Sequence, residues 1–445
     1  MTRHVATPRI FGLSRLGALL GGLALSLPAA ALTLVVATVN NGHMLQMASL
    51  SPEFERAHPN IKLRWITLSE AQLRKAVSSD IATQGRQFDV VTVGMYEVPI
   101  WARQGWLTPI HTTPEMEPQD LLPNIREGLS HQGRLYGAPI YGESSMLFYR
   151  KDLFARAGLS MPAQPTWSDI AHFAARLHAP KDKVYGICLR AKAGWGENIT
   201  LLTTIANTHG AQWFDMQWRP QLQTPAWHEA LSLYVNLLRR YGPPDAVQRG
   251  YNENLALFLA GRCAIWVDAT VAAGFLADPG QNPHAQQVGF APAPVGTTPK
   301  GARWLWAWAL AIPSDIDAAH TEAAQTFVAW ATSRTYIEQV AALRGWGLVP
   351  SGTRVSTYAN PRFQRAAPWA SHELAAIRGA DPRNATLPPS PYLGVQFATI
   401  PEFAAIGDEV GQRIAEAVAG HLSVDEALAL SQRAAQRRML SATPP

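Results

Sequence analysis

Three short apolar runs near the start of the chain, each leading into a helical stretch, constrain the fold more than any other feature. Leu32–Val39 (LTLVVATV) is β-branched and apolar, Ile61–Ile66 alternates apolar and charged positions, and Phe88–Val93 is apolar again. Runs of this length and composition form strands. Residues 50–58 read as a helix stopped by Pro59, and helical sequence continues after the second run to about Thr83. Strands alternating with helices build an α/β fold with a parallel sheet. Ligands of such sheets sit beyond the carboxyl ends of the strands. That rule points to the loops Asn40-Asn41-Gly42-His43 and Gly94-Met95-Tyr96-Glu97, and within them to Asn41, His43, Tyr96 and Glu97.

The chain has 445 residues, enough for two domains each with its own core. Tyr136–Tyr149 is extended sequence broken by Gly and Pro, suited to crossing between two lobes. Helices are expected at Lys151–Ala157, Trp167–His178 and residues 226–240, and a strand at Tyr185–Leu189. Leu255–Leu259 lies in a further helix, Cys263–Val267 is a strand ending at Asp268, and Ala269–Leu276 follows as a helix. Pro-rich Ala291–Pro294 is the second candidate crossing; Trp304–Ile312 is a strand, Ala323–Trp330 and Thr335–Leu343 are helices, and the sequence after Ile400 is mostly helical. The expected division is an N-terminal lobe from 32–142 and 291–334, and a C-terminal lobe from 143–290 and 335–445.

Residues 1–31 have the pattern of a secretory signal peptide. Arg3, Arg9 and Arg15 precede the apolar run Leu16–Leu27, and Pro28-Ala-Ala-Ala31 supplies small residues before a cut after Ala31. An apolar run of about 12 residues is too short to span a bilayer, which needs roughly 20. A periplasmic location is therefore expected, without a lipid anchor because there is no lipobox cysteine at the cut. Removing the three arginines takes the 38 basic residues to 35 against 33 acidic, so the exported chain is close to neutral. With no run of Lys or Arg, nucleic acid is not an expected partner. Cys188 and Cys263 are the two cysteines. In an oxidising compartment they have the option of pairing, and burial as free thiols is the alternative. Nothing resembles a metal-binding spacing.

Several stretches together resemble the family 1 extracellular solute-binding proteins of ABC importers, and most closely the sorbitol/mannitol-binding members. They are Met95-Tyr-Glu-Val-Pro-Ile-Trp101, Tyr141-Gly-Glu-Ser-Ser145, Tyr185-Gly-Ile-Cys-Leu-Arg190, Gly194-Trp-Gly-Glu-Asn198 and Trp213-Phe-Asp-Met216. The likeness continues through Trp266–Gly274, Trp304–Pro313, Gly345-Trp346 and Pro391-Tyr-Leu-Gly-Val-Gln-Phe397. Ala191-Lys-Ala193 departs from the pattern, at the rim of the implied site. The resemblance implies a type II-like periplasmic-binding-protein fold, each lobe a mainly parallel sheet flanked by helices, with the ligand in the cleft between them. It further implies a monomer without catalytic activity, metal or cofactor, which captures a small polyol or sugar and delivers it to membrane permease subunits.

A sugar alcohol offers hydroxyls that both donate and accept, and a C–H face with little charge, so its site pairs carboxylates and amides with an aromatic wall. Trp304, Trp306 and Trp308 alternate and share one strand face; Trp304 and Trp306 are taken as cleft residues, against the alternative that the face is core. Asp268 follows a strand and precedes a helix, which suits a ligand acceptor and equally an N-cap. Glu143 stands in the first crossing, with a hinge ion pair as its competing role. Trp195, Glu197 and Asn198 share a glycine-containing loop that permits close backbone approach, and Trp346 is flanked by Gly345 and Gly347 in the same way. Asn41, His43, Tyr96, Glu97 and Gln396 complete the expected ligand-binding set. Two other ligand classes or activities stay open: a mono- or oligosaccharide in the same cleft, and a secreted glycosidase using paired carboxylates. Against the latter, no Gly-x-Ser-x-Gly, His-Glu-x-x-His or Gly-rich phosphate loop is present.

Overall fold

The computed structural model describes residues 1–2, 4–6 and 31–442, so the expected signal peptide falls almost wholly outside the described residues. β1 (Leu32–Val39) of the first lobe pairs in parallel with the edge strand β2 (Ile61–Leu68), from Leu32↔Ile61 to Val39↔Leu68. On its other side it pairs in parallel with β3 (Val90–Gly94). β4 (Leu107–Thr108) lies at the far edge, and β5 (Ser130–His131) and β6 (Arg134–Leu135) form a small separate hairpin. The chain then runs through β7 (Ala138–Glu143) in the first sheet straight into β8 (Ser145–Arg150) in a second sheet, with only Ser144 between them. β9 (Ile265–Ala269) and β10 (Val288–Pro292) flank β8, and β11 (Trp306–Pro313) returns to the first sheet between β3 and β4, also pairing β7. Since Ala291 and Pro292 belong to β10, the return to the first sheet begins after Pro292.

The two-lobed α/β architecture follows, with one correction to strand direction. β8 pairs antiparallel with both β9 and β10, and β11 is antiparallel to β3 and β7. The connectivity explains it. A chain that enters a lobe along one strand and leaves along its neighbour must run the two in opposite directions, so β8 opposes β10 and β7 opposes β11. The expected strand at Tyr185–Leu189 is reduced to two parallel bridges along β9, Tyr185↔Cys263 and Cys188↔Trp266. There Cys188 and Cys263 form a disulfide, with Cα atoms 6.0 Å apart.

Helix faces place the site residues. In the helix Glu70–Thr83, Leu73, Val77 and Ile81 recur every four residues and are buried in the core. The adjoining row, Glu70, Arg74 and Ser78, is thereby turned toward the gap between the lobes. In the second lobe the helices Phe403–Ala419 and Val424–Met439 pack on each other and on the helix Pro225–Tyr241. Among the described residues no helix is long and apolar enough to cross a membrane.

Candidate functional site

A cleft of about 610 Å3 lies between the lobes. The first lobe supplies the end of β1, the Glu70–Ser78 row, Tyr141 and Glu143 from β7, and Trp306 and Trp308 from β11. The second lobe supplies Arg190, the wide turn Trp195–Ile199, Tyr251 and Asp408. Trp304 precedes β11 rather than lying in it, yet it shares the wall with Trp306 and Trp308. Its backbone is fixed from both sides: Trp304 N–H donates to Ser145 Oγ (3.2 Å), and the Gln396 amide brackets Leu305 through its N–H (3.3 Å) and C=O (3.0 Å). Trp306 packs edge-on against Trp195 and Trp308, with ring centres 5.8 and 5.4 Å apart. A Cβ at Gly94 would overlap the Trp306 indole, so a residue without a side chain is required there.

Two arginines dominate the charge of the site. Arg190 is gripped by Asp268, with Nη2 2.7 Å from Oδ1 and Nε 3.1 Å from both carboxylate oxygens, and its Nη1 donates to the Gly196 carbonyl (2.8 Å). Burial works against the Arg190 cation, but the Asp268 carboxylate outweighs it and holds the group above its ordinary value. Arg74 donates to Glu70 (Nη2–Oε1 3.0 Å), pairs with Glu97, and lies 3.9 Å over the Trp195 ring. The contact joins the lobes, as does Asn252 Nδ2 donating to the Asn40 carbonyl (3.0 Å).

Burial pushes two cleft carboxyls up, Glu143 to about 8 and Glu197 to about 7, in each case opposed by Arg190. Glu197 accepts from Tyr251 N–H (3.3 Å), whereas no described protein donor reaches Glu143. Two further polar groups on the cleft wall, Trp304 Nε1 and the Tyr251 hydroxyl, are buried without a hydrogen-bond partner among the described residues. Unpaired donors and acceptors of this kind are costly unless something in the cleft pairs with them. The departing Ala191-Lys-Ala193 segment is at the rim, where Lys192 Nζ lies 3.9 Å from Glu253 and 4.0 Å from Glu197.

Of the expected site residues, Asn41, Glu143, Trp195, Glu197, Trp304, Trp306 and Gln396 line this cleft. Asn41 also caps the helix Gly42–Ser49, accepting from Met44 N–H (3.1 Å), and donates to the Tyr141 hydroxyl (2.9 Å). The other six do not line the cleft. Asp268 is fully buried and is spent on Arg190, Trp266 Nε1 and its own strand end, which corrects both the direct-acceptor and the N-cap readings. Glu97 accepts from Gly94 N–H (3.0 Å) and serves Arg74. Asn198 staples the turn, accepting from Gly194 N–H (3.2 Å) and donating to the Gly411 carbonyl (2.8 Å). Tyr96 donates to the Ile400 carbonyl (2.8 Å) and supports Trp195, ring centre to ring centre 4.9 Å. His43 is packed between Tyr141 and Phe275 and held neutral, its pKa lowered by burial to about 4. Trp346 sits half-buried in a short turn away from the cleft.

Cleft residues that the sequence did not single out are Arg74, Arg190, Glu70, Tyr141, Tyr251 and Asp408, while Trp308, expected on the same strand face as Trp304 and Trp306, joins them on the wall. Glu70 and Arg74 follow the carboxyl end of β2 at helical spacing, the same strand-end signal that singled out Asn41. Arg190 ends an expected strand, as Asp268 does, and was open to the same argument.

A two-lobed protein with such a cleft, walled by indoles and lined with buried polar groups, is built to enclose a small polar solute. The chain belongs to the bacterial extracellular solute-binding protein family, whose pattern matches residues 44–337. It is 50% identical over 414 residues to the mannitol-binding protein of Pseudomonas aeruginosa, covering 93% of this chain and 94% of that one. Its fold matches a crystal structure of an ABC transporter solute-binding protein from Agrobacterium vitis with bound D-mannitol: TM-score 0.91, 50% identity, 93% of this chain and 100% of that one. A solute-binding protein from Agrobacterium radiobacter in complex with ribitol has the same fold, with TM-score 0.82, 23% identity and coverage of 92% and 99%.

Proposed function

We propose that the protein captures a linear polyol, a hexitol such as mannitol or sorbitol, in the interlobe cleft and delivers it chemically unchanged to the permease of an ABC importer. The observation that carries this is the pairing of a tryptophan wall with two buried polar groups that lack partners among the described residues, Trp304 Nε1 and the Tyr251 hydroxyl, and with the Glu143 carboxyl, which no described protein donor reaches. A polyol hydroxyl accepts from the first, exchanges with the second and donates to the third, while the C–H face lies on the indoles. The mannitol ligand of the Agrobacterium vitis protein and the name of the Pseudomonas aeruginosa relative, both at 50% identity, support the same class.

In this reading Asn41, Glu143, Trp195, Glu197, Trp304, Trp306 and Gln396 border the ligand, with Arg74 and Arg190 as additional donors. The leader at 1–31 directs export to the periplasm, and the protein works there as a monomer. Intrinsic tryptophan fluorescence of the mature chain, titrated with mannitol, sorbitol, ribitol, glucose and maltose, tests it. Saturable binding of a hexitol that is recovered unchanged is the expected result. A response to maltose with none to any polyol would move the ligand to the oligosaccharides, and consumption of a sugar would make the cleft an active site.

A further inference from the structure

We propose that the Cys188–Cys263 disulfide is a positioning device for the cleft arginine Arg190, rather than only a staple for the second lobe. The inference rests on the polyol reading of the cleft for its functional consequence, though not for its geometry.

The segment carrying Arg190 is not an established strand. It touches β9 and the residues just before it through two separate parallel bridges: Tyr185 N–H donates to the Arg262 carbonyl (2.8 Å), Ala264 N–H to the Tyr185 carbonyl (2.9 Å), and Cys188 N–H to the Ile265 carbonyl (2.8 Å). The paired residues Tyr185↔Cys263 and Cys188↔Trp266 are 78 positions apart, and the same offset relates Arg190 to Asp268. Arg190 and Asp268 thus continue the register of the Cys188↔Trp266 bridge, two residues further along the same face. Their side chains meet only while that register holds, because side-chain facing in a ladder follows register. The disulfide ties the two bridges together, joining Cys188 of one, two residues before Arg190, to Cys263 of the other, and both residues are fully buried.

Downstream, the Tyr234 hydroxyl donates to the Arg190 carbonyl, and the Arg249 carbonyl accepts from Ala191 and Lys192 N–H (2.9 and 3.0 Å). These contacts retain the backbone near the cleft when the disulfide is gone. The loss is therefore of aim, not of the segment. Arg190 Nε and Nη2 would share Asp268 less completely, and the guanidinium would wander over the Tyr251 and Trp304 rings that it now overlies at 5.3 and 5.7 Å. Disulfides persist in oxidising compartments, in keeping with an exported protein.

The test compares the wild-type chain with C188A/C263A, and with the better-filling C188A/C263V should the first fold poorly. Binding of mannitol is measured by calorimetry well below the melting temperature of each variant. Removal of the disulfide is expected to weaken binding roughly tenfold, the scale of coupling within one contact network. In an R190K background, where the planar fork is already lost, the same removal should change the affinity less than twofold. A ligand-free readout accompanies it: hydrogen exchange of the Arg190 Nε–H, followed by NMR, should quicken at least tenfold without the disulfide. An unchanged mannitol affinity with unchanged Nε–H protection would overturn the proposal, as would an equal loss of affinity in both backgrounds. Failure of the wild-type protein to bind any polyol would sink the ligand reading alone, and the Nε–H protection would then decide the positioning.

Discussion

Each lobe brings one arginine to the cleft, and the two are held in different ways. Arg190 has its anchors within the second lobe: Asp268 grips it, the Gly196 carbonyl takes Nη1, and Tyr251 lies beneath it. Its side chain is 7% exposed and its hydrogen bonds exist whether or not the lobes meet. Arg74 is 15% exposed and held in the first lobe by Glu70 and Glu97 and, more loosely, by the Trp306 and Trp308 rings at 5.2 and 5.3 Å, while its flat face rests more closely on Trp195 across the cleft. One cation is a fixed part of a lobe, and the other is completed by closure. Half of the site's positive charge is thus held without the partner lobe, and half depends on contact with it.

The sharpest way to break that comparison is at Asp268. Asp268→Ala removes the carboxylate hydrogen-bonded to buried Arg190, leaving only the more distant Glu143 and Glu197 to balance it, and breaking a buried pair typically costs about 3–5 kcal/mol. Ligand-free thermal unfolding should shift down accordingly, and mannitol affinity should fall by about a hundredfold or more. A variant with wild-type melting and affinity would show that Arg190 does not depend on Asp268 at all. Arg74→Lys is the contrasting change. It keeps the charge for Glu70 and Glu97 but loses the planar stack, worth up to about 2 kcal/mol in a desolvated site. Affinity should drop roughly tenfold, chiefly through faster release in stopped-flow fluorescence, with little change in ligand-free melting. If Arg74→Lys melts as low as Asp268→Ala, the two arginines are equivalent and the division is wrong.

Trp304→Phe sharpens the comparison on the wall itself. It keeps an aromatic surface and removes a buried Nε1–H that no described protein group accepts. A lost ligand hydrogen bond is worth about 1 kcal/mol, or roughly fivefold in affinity by calorimetry. Stabilised ligand-free protein with unchanged affinity would mean that Nε1 does not face the ligand.

How far the sequence shows this arrangement differs between backbone and charge. β1, β2 and β3 are legible because apolar, β-branched runs have few alternatives to strand, and the Trp304-Trp306-Trp308 spacing points to one wall. The order of groups in depth is not legible. Asp268 and Glu97 stand where strand-end carboxylates meet a ligand, and a single sequence does not show that Arg190 and Arg74 come between. Arg74 occupies a helix that reads as an ordinary amphipathic surface, and only the packing of Leu73, Val77 and Ile81 turns it inward. Trp346 and His43 have the right neighbours in sequence but face other packing. Antiparallel β8–β10 pairing follows from where the chain changes lobe, which local periodicity does not encode.

The smallest expected effect is on pH, and it separates a ligand carboxyl from a structural one. Burial raises Glu143 to about 8 and Glu373, behind the hinge with Ser351 and Tyr358, to about 7. Both lie above the 4.5 of an ordinary glutamate, so between about pH 4.5 and 8 the folded chain keeps protons that the unfolded chain has released. Stability of the ligand-free protein therefore falls as pH rises through that window. A polyol hydroxyl donating to Glu143 favours its ionised form, so binding releases a proton, and affinity should rise about threefold from pH 6 to pH 8 and level off above. Arg190, Asp268, Glu70 and Glu373 all act on Glu143, but only Glu143 lacks a described protein donor and faces the cleft. Glu143→Gln should flatten the pH dependence of mannitol affinity, whereas Glu373→Gln should flatten only part of the ligand-free melting curve. An affinity profile unchanged in Glu143→Gln but lost in Glu373→Gln would place the responsive proton at the hinge and make closure, not hydroxyl pairing, the pH-sensitive step.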